Sequence, residues 1–392
     1  MNKENLRNHN SQNMWSLRQD IVTSGFTIAL DRAECYTKVF AQHEAAPWIV
    51  KKALAFREHL NTMPLYLRKY DQLPGSICET PGAMPLFPEL GIGENQIFVR
   101  ENPEYENYLD GKVPEHISSF WKGRDSWSAY KAYCRDVLGT EGGSIPDWIY
   151  TSCQAHLSPD LRDVLAGGLK SVKAAIELEK GNAVNPDKIS FLHAARLSIN
   201  ALGEWILRYA SLLESMAKSE TDQNRAAQLR KMAADSSHIA NEPPQTFRQA
   251  IMLIWYIYQA MHIEGNGYSC SPGRLDQLLY KFYLADKKNG ILTDDDVISL
   301  FENFILKMKD NTFWSEKHNL TQGLCVAGSA ADGNDLSMAR GVIRSLGYFI
   351  GLALSFTGFA LAYITKDKRA LQDYMAGSVV VSVREKTDSL FG

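Results

Sequence analysis

The sequence has few of the features that mark a secreted, metal-binding or nucleic-acid-binding protein. Its six cysteines are scattered and form no CxxC pair, which argues against a disulfide framework and against a structural zinc site. The formal net charge is only -3, from 42 basic and 45 acidic residues. No overall positive field therefore favours nucleic acid or an anionic membrane surface. The sequence predicts reduced thiols, no metal ligands and no nucleic-acid partner.

The N-terminal segment lacks the apolar core of a signal peptide. Residues 1–20 mix Asn, Lys, Glu and Arg, and we expect them to form a polar, frayed leader. Together with the reduced thiols, this composition favours a cytoplasmic protein. With 392 residues, 45% of them hydrophobic, the chain is long enough to bury a large core in one big domain or two to three smaller ones.

Three stretches have the pattern of core-packed helices. The first places apolar residues on one helical face at spacings of three and four: Leu192, Ala195, Ile199, Leu202, Ile206, Tyr209, Leu213 and Met216. The second follows Pro243-Pro244, opens on Thr246 as an N-cap and is apolar on every face from Ala250 to Tyr258, which predicts burial on all sides.

The third helix begins after Thr293 with three aspartates in its first turn, where carboxylates favour the positive helix end. We expect it to present one apolar stripe to the core: Ile298, Leu300, Phe301, Phe304, Ile305 and Met308.

The C-terminal segment differs from the rest of the chain. Residues 345–365 carry no charge and are long enough to cross a bilayer, and basic residues flank them on both sides. Gly347 and Gly351 form a GxxxG spacing that allows close helix packing. Two interpretations stay open, a transmembrane helix and a buried helix of a soluble domain.

The richest stretch for chemistry runs from Glu264 to Gln277, directly after the buried helix. It contains a GxG sequence, which alone is weak evidence because the strand and spacing of a dinucleotide or phosphate loop are absent. On its own, the stretch is better explained as a glycine-rich connection that serves packing alone.

In this stretch the sequence resembles the glycyl radical enzymes. The resemblance is closer to the dehydratase-like branch, with its glycerol, diol, hydroxyproline and choline-cleaving members, than to pyruvate formate-lyase itself. It is carried in collinear order by these segments: Arg32-Ala33, Tyr70-Asp71-Gln72-Leu73 with Gly75-Ser76, Pro85-Leu86-Phe87-Pro88-Glu89, Phe120-Trp121-Lys122-Gly123, Ala155-His156-Leu157-Ser158-Pro159-Asp160, Pro243-Pro244-Gln245-Thr246-Phe247, and Asn266-Gly267 through Asp276-Gln277.

The resemblance implies a fold and an organisation of the chain. The fold class is α/β, a partial glycyl-radical-enzyme barrel in which this chain supplies the first half-barrel and a mainly helical outer shell. Residues 21–337 would be the N-terminal part of the family domain, and residues 338–392 a tail foreign to it.

The resemblance also implies an activity. Relatives cleave C–O, C–N or C–C bonds of small polar metabolites by radical chemistry, as dehydratases, lyases or formate acetyltransferases. They bind no cofactor of their own, because a separate S-adenosylmethionine iron-sulfur activating enzyme installs the glycyl radical. The implied partners are thus a small-molecule substrate and an activating enzyme.

Three residues inherit the substrate-binding positions of the family: His156, Tyr268 and Ser269. A histidine at position 156 can hydrogen-bond a substrate hydroxyl or share its proton near neutral pH. The alternative is a structural histidine just ahead of a helix capped by Ser158 and begun by Pro159. Tyr268 stands where many dehydratases have histidine, and a phenol donates a hydrogen bond but hardly accepts a proton.

The two loops that carry the family's radical chemistry do not occur in the 392 residues. Relatives have a Gly-Cys-Val-Glu-like loop for the thiyl radical and an Arg-Val-x-Gly-Tyr-like loop for the glycyl radical. Gly323-Leu324-Cys325-Val326 lacks the glutamate, so we expect Cys325 to be a strand residue, and Cys153 and Cys270 to be inert buried thiols.

We therefore expect no catalytic residue in this chain and no activity without a complementary chain. An interrupted or fused gene would explain the sequence. A non-catalytic pseudoenzyme subunit and a membrane-anchored binding module are the alternatives.

Overall fold

The computed structural model describes residues 3–24, 27–92, 112–140, 157–265 and 270–310, together with three two-residue strands at 324–325, 329–330 and 378–379. The chain divides into two compact units. The first comprises residues 1–272 and 279–323, and the second comprises residues 273–278 and 324–392. Each unit is described by itself.

The described residues are mainly helical. The α-helices are α1 (Lys3–Thr23), α2 (Asp31–Gln42), α3 (Trp48–Thr62), α4 (Glu115–Trp121), α5 (Ser126–Tyr133), α6 (Arg162–Gly181), α7 (Pro186–Ser219), α8 (Gln223–Ile239), α9 (Phe247–Gly265), α10 (Leu275–Lys288) and α11 (Asp294–Asp310). A short 3₁₀ helix spans Pro88–Leu90, and a π-helical turn, Cys134–Leu138, extends α5.

The strands are short and pair two by two. In the first unit β1 (Thr27–Ala29) runs parallel to β2 (Ala83–Pro85). In the second unit β3 (Gly273–Arg274) runs parallel to β4 (Leu324–Cys325), and β5 (Ser329–Ala330) runs antiparallel to β6 (Ser378–Val379). Cys325 is a strand residue, as predicted.

The long helix α7 forms the centre of the first unit and packs most extensively against α3 and α8. Its buried face is the predicted one, with Ile206, Tyr209 and Leu213 fully buried. The rings of Trp205 and Tyr256 lie 5.6 Å apart in edge-to-face geometry and join α7 to α9.

Helix α9 confirms the prediction of a helix buried on all sides. From Ala250 to Tyr258 every residue is buried except Ile257, which is partly exposed. The Thr246 hydroxyl accepts a hydrogen bond from Gln249 N at 3.2 Å, and the Gln249 side chain accepts one from Gln245 N at 2.8 Å. These reciprocal bonds fix the start of the helix.

Helix α11 begins as predicted, but part of its predicted stripe faces solvent. Thr293 and Asp296 cap each other, with Asp296 N donating to Thr293 Oγ1 at 3.1 Å. Leu300 and Phe304 are buried, whereas Ile298 and Ile305 are each 47% exposed. A spacing of seven places these two residues on the same side of the helix. Helix α1 packs against α11 but leaves this side exposed.

Helix α1 replaces the frayed leader that the polar composition predicts. Met14, Leu17 and Ile21 recur at spacings of three and four and are buried together, with Leu306 of α11 packed against them. The prediction missed this apolar stripe because it is narrow and the rest of the segment is polar.

No helix in the described ranges combines the length and hydropathy that a bilayer crossing requires. The candidate helix at 345–365 lies outside those ranges. Across the same ranges, no group of three metal-ligating side chains is brought together.

Candidate functional site

The three predicted substrate-binding residues, His156, Tyr268 and Ser269, all lie outside the described residues. The structure does describe the residues that directly follow them in sequence, Leu157 and Cys270. These neighbours show which parts of the fold meet next to the predicted site.

A backbone hydrogen bond joins the two candidate segments. The amide of Ser271 donates to the carbonyl oxygen of Leu157 at 2.8 Å. Leu157 follows His156 by one residue, and Ser271 follows Ser269 by two. Two segments that are more than a hundred residues apart in sequence are thus neighbours in space. They meet one or two residues after the predicted site residues.

The segment after His156 is not the helix start that Ser158 and Pro159 predict. Helix α6 begins only at Arg162, and its N-cap position is Leu161. The Asp160 carboxylate accepts a hydrogen bond from Arg162 N at 3.0 Å, so it satisfies an amide of the first turn in place of a serine cap. Residues 157–161 are therefore outside any helix or strand, and Leu157 is the residue whose carbonyl oxygen accepts from the amide of Ser271.

Cys270 has the properties of the inert thiol that the sequence predicts. Its side chain is fully buried. Burial raises the pKa of the Cys270 thiol to about 11, so the thiol stays protonated at neutral pH and is a poor nucleophile.

Arg32 holds the end of α9, just ahead of the segment that contains Tyr268 and Ser269. Its Nε donates to the carbonyl oxygen of Ile263 at 2.7 Å, and Nη2 donates to that of Glu264 at 3.2 Å. The same guanidinium makes a bidentate pair with the Glu89 carboxylate, at 3.0 and 2.5 Å. Both side chains are buried.

Two aromatic rings enclose this guanidinium. The Arg32 Cζ atom lies 3.7 Å from the ring centroid of Tyr36 and 4.0 Å from that of Phe87. Such stacking stabilises a desolvated cation in addition to its ion pair. We call this group, Arg32, Tyr36, Phe87 and Glu89 with the carbonyls of α9, the Arg32 clamp.

The segment Tyr70-Asp71-Gln72-Leu73 docks on α11 through polar contacts. Asp71 and Lys307 form a buried ion pair at 2.8 Å. The Gln72 side chain donates to Ser299 Oγ at 2.6 Å, and the amide of Leu73 donates to Asn303 Oδ1 at 3.2 Å. These motif residues have structural partners, so within the described chain their role is to hold the loop rather than to perform chemistry.

A small titratable cluster lies between α2, α3 and the loop before β2. Burial, and then the neighbouring Glu79 carboxylate, raise the pKa of Asp31 to about 7. His59 Nδ1 lies 3.8 Å from Asp31 Oδ2. Burial, with the charges of Arg32 and Arg208, lowers the pKa of His59 to about 3, so that histidine is neutral. The cluster thus combines an Asp31 carboxyl whose pKa is raised towards neutrality with a histidine that is neutral there.

Comparison with known proteins defines the class of this fold. The family model for pyruvate formate lyase-like proteins matches residues 4–338. The (2S)-3-sulfopropanediol dehydratase of Klebsiella oxytoca is 27% identical over 354 residues, which cover 81% of this chain and 42% of that protein.

Solved structures give the same result. A structure described as 1,2-propanediol dehydration in Roseburia inulinivorans matches with a TM-score of 0.70 and 25% identity, over 83% of this chain and 44% of that one. A glycyl radical enzyme from Archaeoglobus fulgidus has a TM-score of 0.68 at 21% identity and covers 85% of this chain and 46% of its own.

The chain belongs to the pyruvate formate lyase-like family, and its relatives are glycyl radical dehydratases and lyases. The predicted family and the predicted fold class, a partial α/β barrel with a mainly helical shell, are confirmed. The chain spans about two fifths of the length of the curated relatives it matches, 42% and 38% for two of them.

Sequence patterns did not single out the Arg32 clamp as a unit. Arg32 and Glu89 belong to two separate family-like segments of the sequence. The signal that connects them is chemical, since a buried arginine requires a buried carboxylate partner, but the sequence contains 45 acidic residues from which that partner would have to be chosen.

Proposed function

We propose that this chain forms the substrate-side part of a glycyl radical dehydratase or lyase that acts on a small polar metabolite. In this proposal His156 and Ser269 hydrogen-bond the hydroxyl or charged groups of the substrate. Tyr268 donates a hydrogen bond and does not act as a base, because a phenol holds its proton at neutral pH. This feature distinguishes the site from a diol dehydratase with histidine at that position.

The hydrogen bond between Ser271 and Leu157 is the observation that carries this proposal. It brings together the two chain segments on which the candidate residues lie. The Arg32 clamp supports it further, because it fixes the carbonyls of Ile263 and Glu264 directly ahead of the second segment. Residues that contact a substrate must be held by rigid neighbours to bind it in one orientation.

The radical groups are proposed to come from outside these 392 residues. Neither the Gly-Cys-Val-Glu-like loop nor the Arg-Val-x-Gly-Tyr-like loop occurs in the sequence. The chain alone is therefore proposed to be catalytically silent, and to require a complementary polypeptide that carries both loops. Activation would depend on an S-adenosylmethionine iron-sulfur activating enzyme, in an anaerobic cytoplasm.

Electron paramagnetic resonance tests the radical part of the proposal. The chain is incubated anaerobically with an activating enzyme and S-adenosylmethionine, first alone and then with a C-terminal fragment of a related dehydratase. We expect no glycyl doublet from the chain alone, and turnover of a diol only in the mixture. A glycyl doublet assigned to this chain would overturn the proposal.

A binding measurement tests the substrate-side part without any radical. Calorimetric titration of the chain with glycerol, 1,2-propanediol, hydroxyproline and a hydroxysulfonate should show saturable binding of one of them. His156→Ala should weaken that binding about tenfold, as expected for the loss of one or two hydrogen bonds. The matched control is His193→Ala, which replaces an exposed histidine on α7.

The two experiments separate the candidate functions. Binding that depends on His156, without turnover in the complemented mixture, favours a non-catalytic pseudoenzyme subunit. Binding that is the same in the His156 and His193 variants contradicts the assignment of the site.

Residues 338–392 are proposed to lie outside the catalytic domain, because the family model ends at residue 338. Carbonate extraction of membranes distinguishes the two interpretations of residues 345–365. Retention of the chain in the membrane pellet supports a spanning helix, and release into the supernatant supports a buried one.

A further inference from the structure

A polar cavity lies in the first unit at the N-terminal end of α9, opposite the end that leads to Tyr268 and Ser269. Its volume is about 320 Å³, at the lower end of the roughly 300–1,000 Å³ typical of small-molecule pockets. Its walls come from α8, from the start of α9, and from α10 and α11. Helix α9 has 19 residues, so its two ends are about 28 Å apart.

Three cations line this cavity: Arg225, Lys231 and Arg248. Among the described residues, the buried Nη2 atom of Arg225 has no hydrogen-bond partner, while Nη1 donates to Gln228 Oε1 at 3.3 Å. Arg248 Nε lies 3.3 Å from Asp235 Oδ2, which is close enough for an ion pair. The two atoms are not oriented for a hydrogen bond. Burial lowers the pKa of both guanidinium groups. Two half-buried arginines thus each have a buried donor atom that no acceptor among the described residues satisfies.

The three carboxylates in the wall already have donors of their own. Asp286 accepts from the amide of Phe247 at 2.8 Å, and Asp235 accepts from the Gln249 side chain at 2.9 Å. Asp296 accepts from the amide and the hydroxyl of Thr293. The wall contains one buried acceptor without a hydrogen bond, Asp235 Oδ2, and it already faces Arg248 Nε at ion-pair distance. The remaining unsatisfied buried atom among the described lining residues is a donor, Arg225 Nη2, so a ligand that satisfies it must supply an acceptor.

We infer that this cavity binds a small oxyanion, a phosphate, carboxylate or sulfonate group, between Arg225 and Arg248, with Lys231 at its exposed rim. Arginine forks match the paired oxygens of such groups. The positive end of α9, at which Thr246 lines the cavity, favours the same charge. This site is separate from the substrate role proposed above and does not depend on it.

Thermal unfolding and calorimetric titration of the full chain test the site. The probes are inorganic phosphate, malonate and ethanesulfonate, with chloride at matched ionic strength as the reference. We expect a saturable rise in the melting temperature with at least one oxyanion and none with chloride. The three probes show which of the anionic groups the cavity prefers.

Matched variants locate the binding. Arg225→Gln should weaken oxyanion binding at least about tenfold, because it removes a charged donor from a desolvated site. Without oxyanion its melting temperature should be equal to or above that of the wild type, because a half-buried cation with an unsatisfied Nη2 atom is gone. Arg230→Gln, an equal change of charge on the exposed side of the same helix, should bind as the wild type does.

Two further variants keep the test decisive if Arg225→Gln folds poorly. Asp235→Asn keeps the shape of its side chain and releases Arg248 from its ion pair, so it should bind the oxyanion several-fold more tightly. Lys231→Gln, at the exposed rim, should weaken binding a few-fold. Tightening by Asp235→Asn would be hard to explain if the arginines served only the fold.

Three results would overturn the inference. The first is the absence of saturable binding by the wild type for every oxyanion tested. The second is wild-type affinity in the Arg225→Gln variant. The third is a lower melting temperature of that variant without oxyanion, combined with an unchanged response to it, which would assign Arg225 a purely structural role.

Discussion

At the scale of single residues, Arg32 has the densest set of interactions next to the candidate site. Lysine at this position keeps the charge but has no planar fork, so it cannot make the bidentate pair with Glu89 and also reach both carbonyls of α9. We expect Arg32→Lys to lower the free energy of unfolding by about 3–5 kcal/mol, because it leaves a poorly paired charge buried. Urea denaturation measures this loss.

The control for Arg32→Lys is Arg57→Lys. Arg57 pairs with Glu204 at 3.3 Å, and both side chains are more than 40% exposed. An exposed pair of this kind contributes about 1 kcal/mol or less. Equal losses in the two variants would show that the Arg32 clamp does not hold α9.

Because His262 is buried, we expect the free energy of unfolding to fall at acidic pH. The histidine is buried beside Tyr258, with 4.4 Å between the ring centroids, and burial lowers its pKa to about 4. Between pH 6.5 and 4 the unfolded chain therefore takes up a proton that the folded chain does not, so stability falls as the pH falls through this window. His262→Leu should remove roughly 3 kcal/mol of this pH dependence, at 1.36 kcal/mol for each pKa unit. Unfolding free energies measured from pH 4 to pH 7 check it.

Asp31 has the opposite effect on the pH dependence of stability, so its contribution must be measured separately from that of His262. Its pKa is raised, so the folded chain holds the extra proton and stability falls as the pH rises towards 7. Asp31→Asn should therefore make the decline towards acid steeper, whereas His262→Leu should flatten it. The control is His43→Leu, which replaces an exposed histidine and should leave the slope of the unfolding free energy against pH unchanged. If His262→Leu also leaves this slope unchanged, the prediction is contradicted.

At the scale of elements, α6 contains a sharp bend that only glycine allows. Gly168 has a φ of +70°, and a Cβ atom added there would lie 2.5 Å from the carbonyl carbon of Glu242 and from Pro243 N. Backbone atoms at this distance cannot move aside as a flexible side chain would. The bend lets the amide of Lys170 donate to Asn241 O at 3.0 Å, which joins α6 to the turn between α8 and α9.

Gly168→Ala should therefore destabilise the protein by about 3 kcal/mol or more, from strain combined with a backbone clash. Gly181→Ala is the matched control, because nothing lies within 4 Å of the added Cβ atom at the end of the same helix. The control should be neutral or stabilising by up to about 1 kcal/mol. A similar melting temperature for the two variants would mean that α6 does not need its bend.

The elements differ in how well the sequence predicts them. Helices α7 and α9 were predicted because their apolar patterns are long, and α11 because its aspartate cap is clear. The exposed Ile298 and Ile305 could not be predicted, since the sequence pattern does not show how far a neighbouring helix reaches around α11. The predicted start of α6 was wrong because the helix begins at Arg162, whose amide is satisfied by the Asp160 carboxylate rather than by a Ser158 cap.

At the scale of the whole molecule, α1 ties the start of the chain to α11. Arg68 connects Asp20 of α1 to Asp310 of α11, at 2.6 and 2.8 Å. Leu17 is fully buried in the same contact. Leu17→Ala should lower the free energy of unfolding by about 2–5 kcal/mol, as large-to-small changes in a core do.

The control for Leu17→Ala is Val22→Ala, on the same helix at a position that is 62% exposed. It should change the stability by less than about 0.5 kcal/mol. If chemical denaturation gives equal values for the two variants, α1 is not part of the cooperative core. Long-range contacts of this kind, like those of the Arg32 clamp, could not be predicted from local patterns.

The Arg32 clamp also has a consequence for the synthesis of the protein. Arg32 and its partner Ile263 are 231 residues apart in sequence. At about 5–20 residues per second, a ribosome adds Ile263 roughly 10–50 seconds after Arg32. During this interval the guanidinium of Arg32 can meet Glu89 and the rings of Tyr36 and Phe87, but two of its donors have no carbonyl of α9 to bind. The Arg32 clamp can therefore close only after α9 has been synthesised.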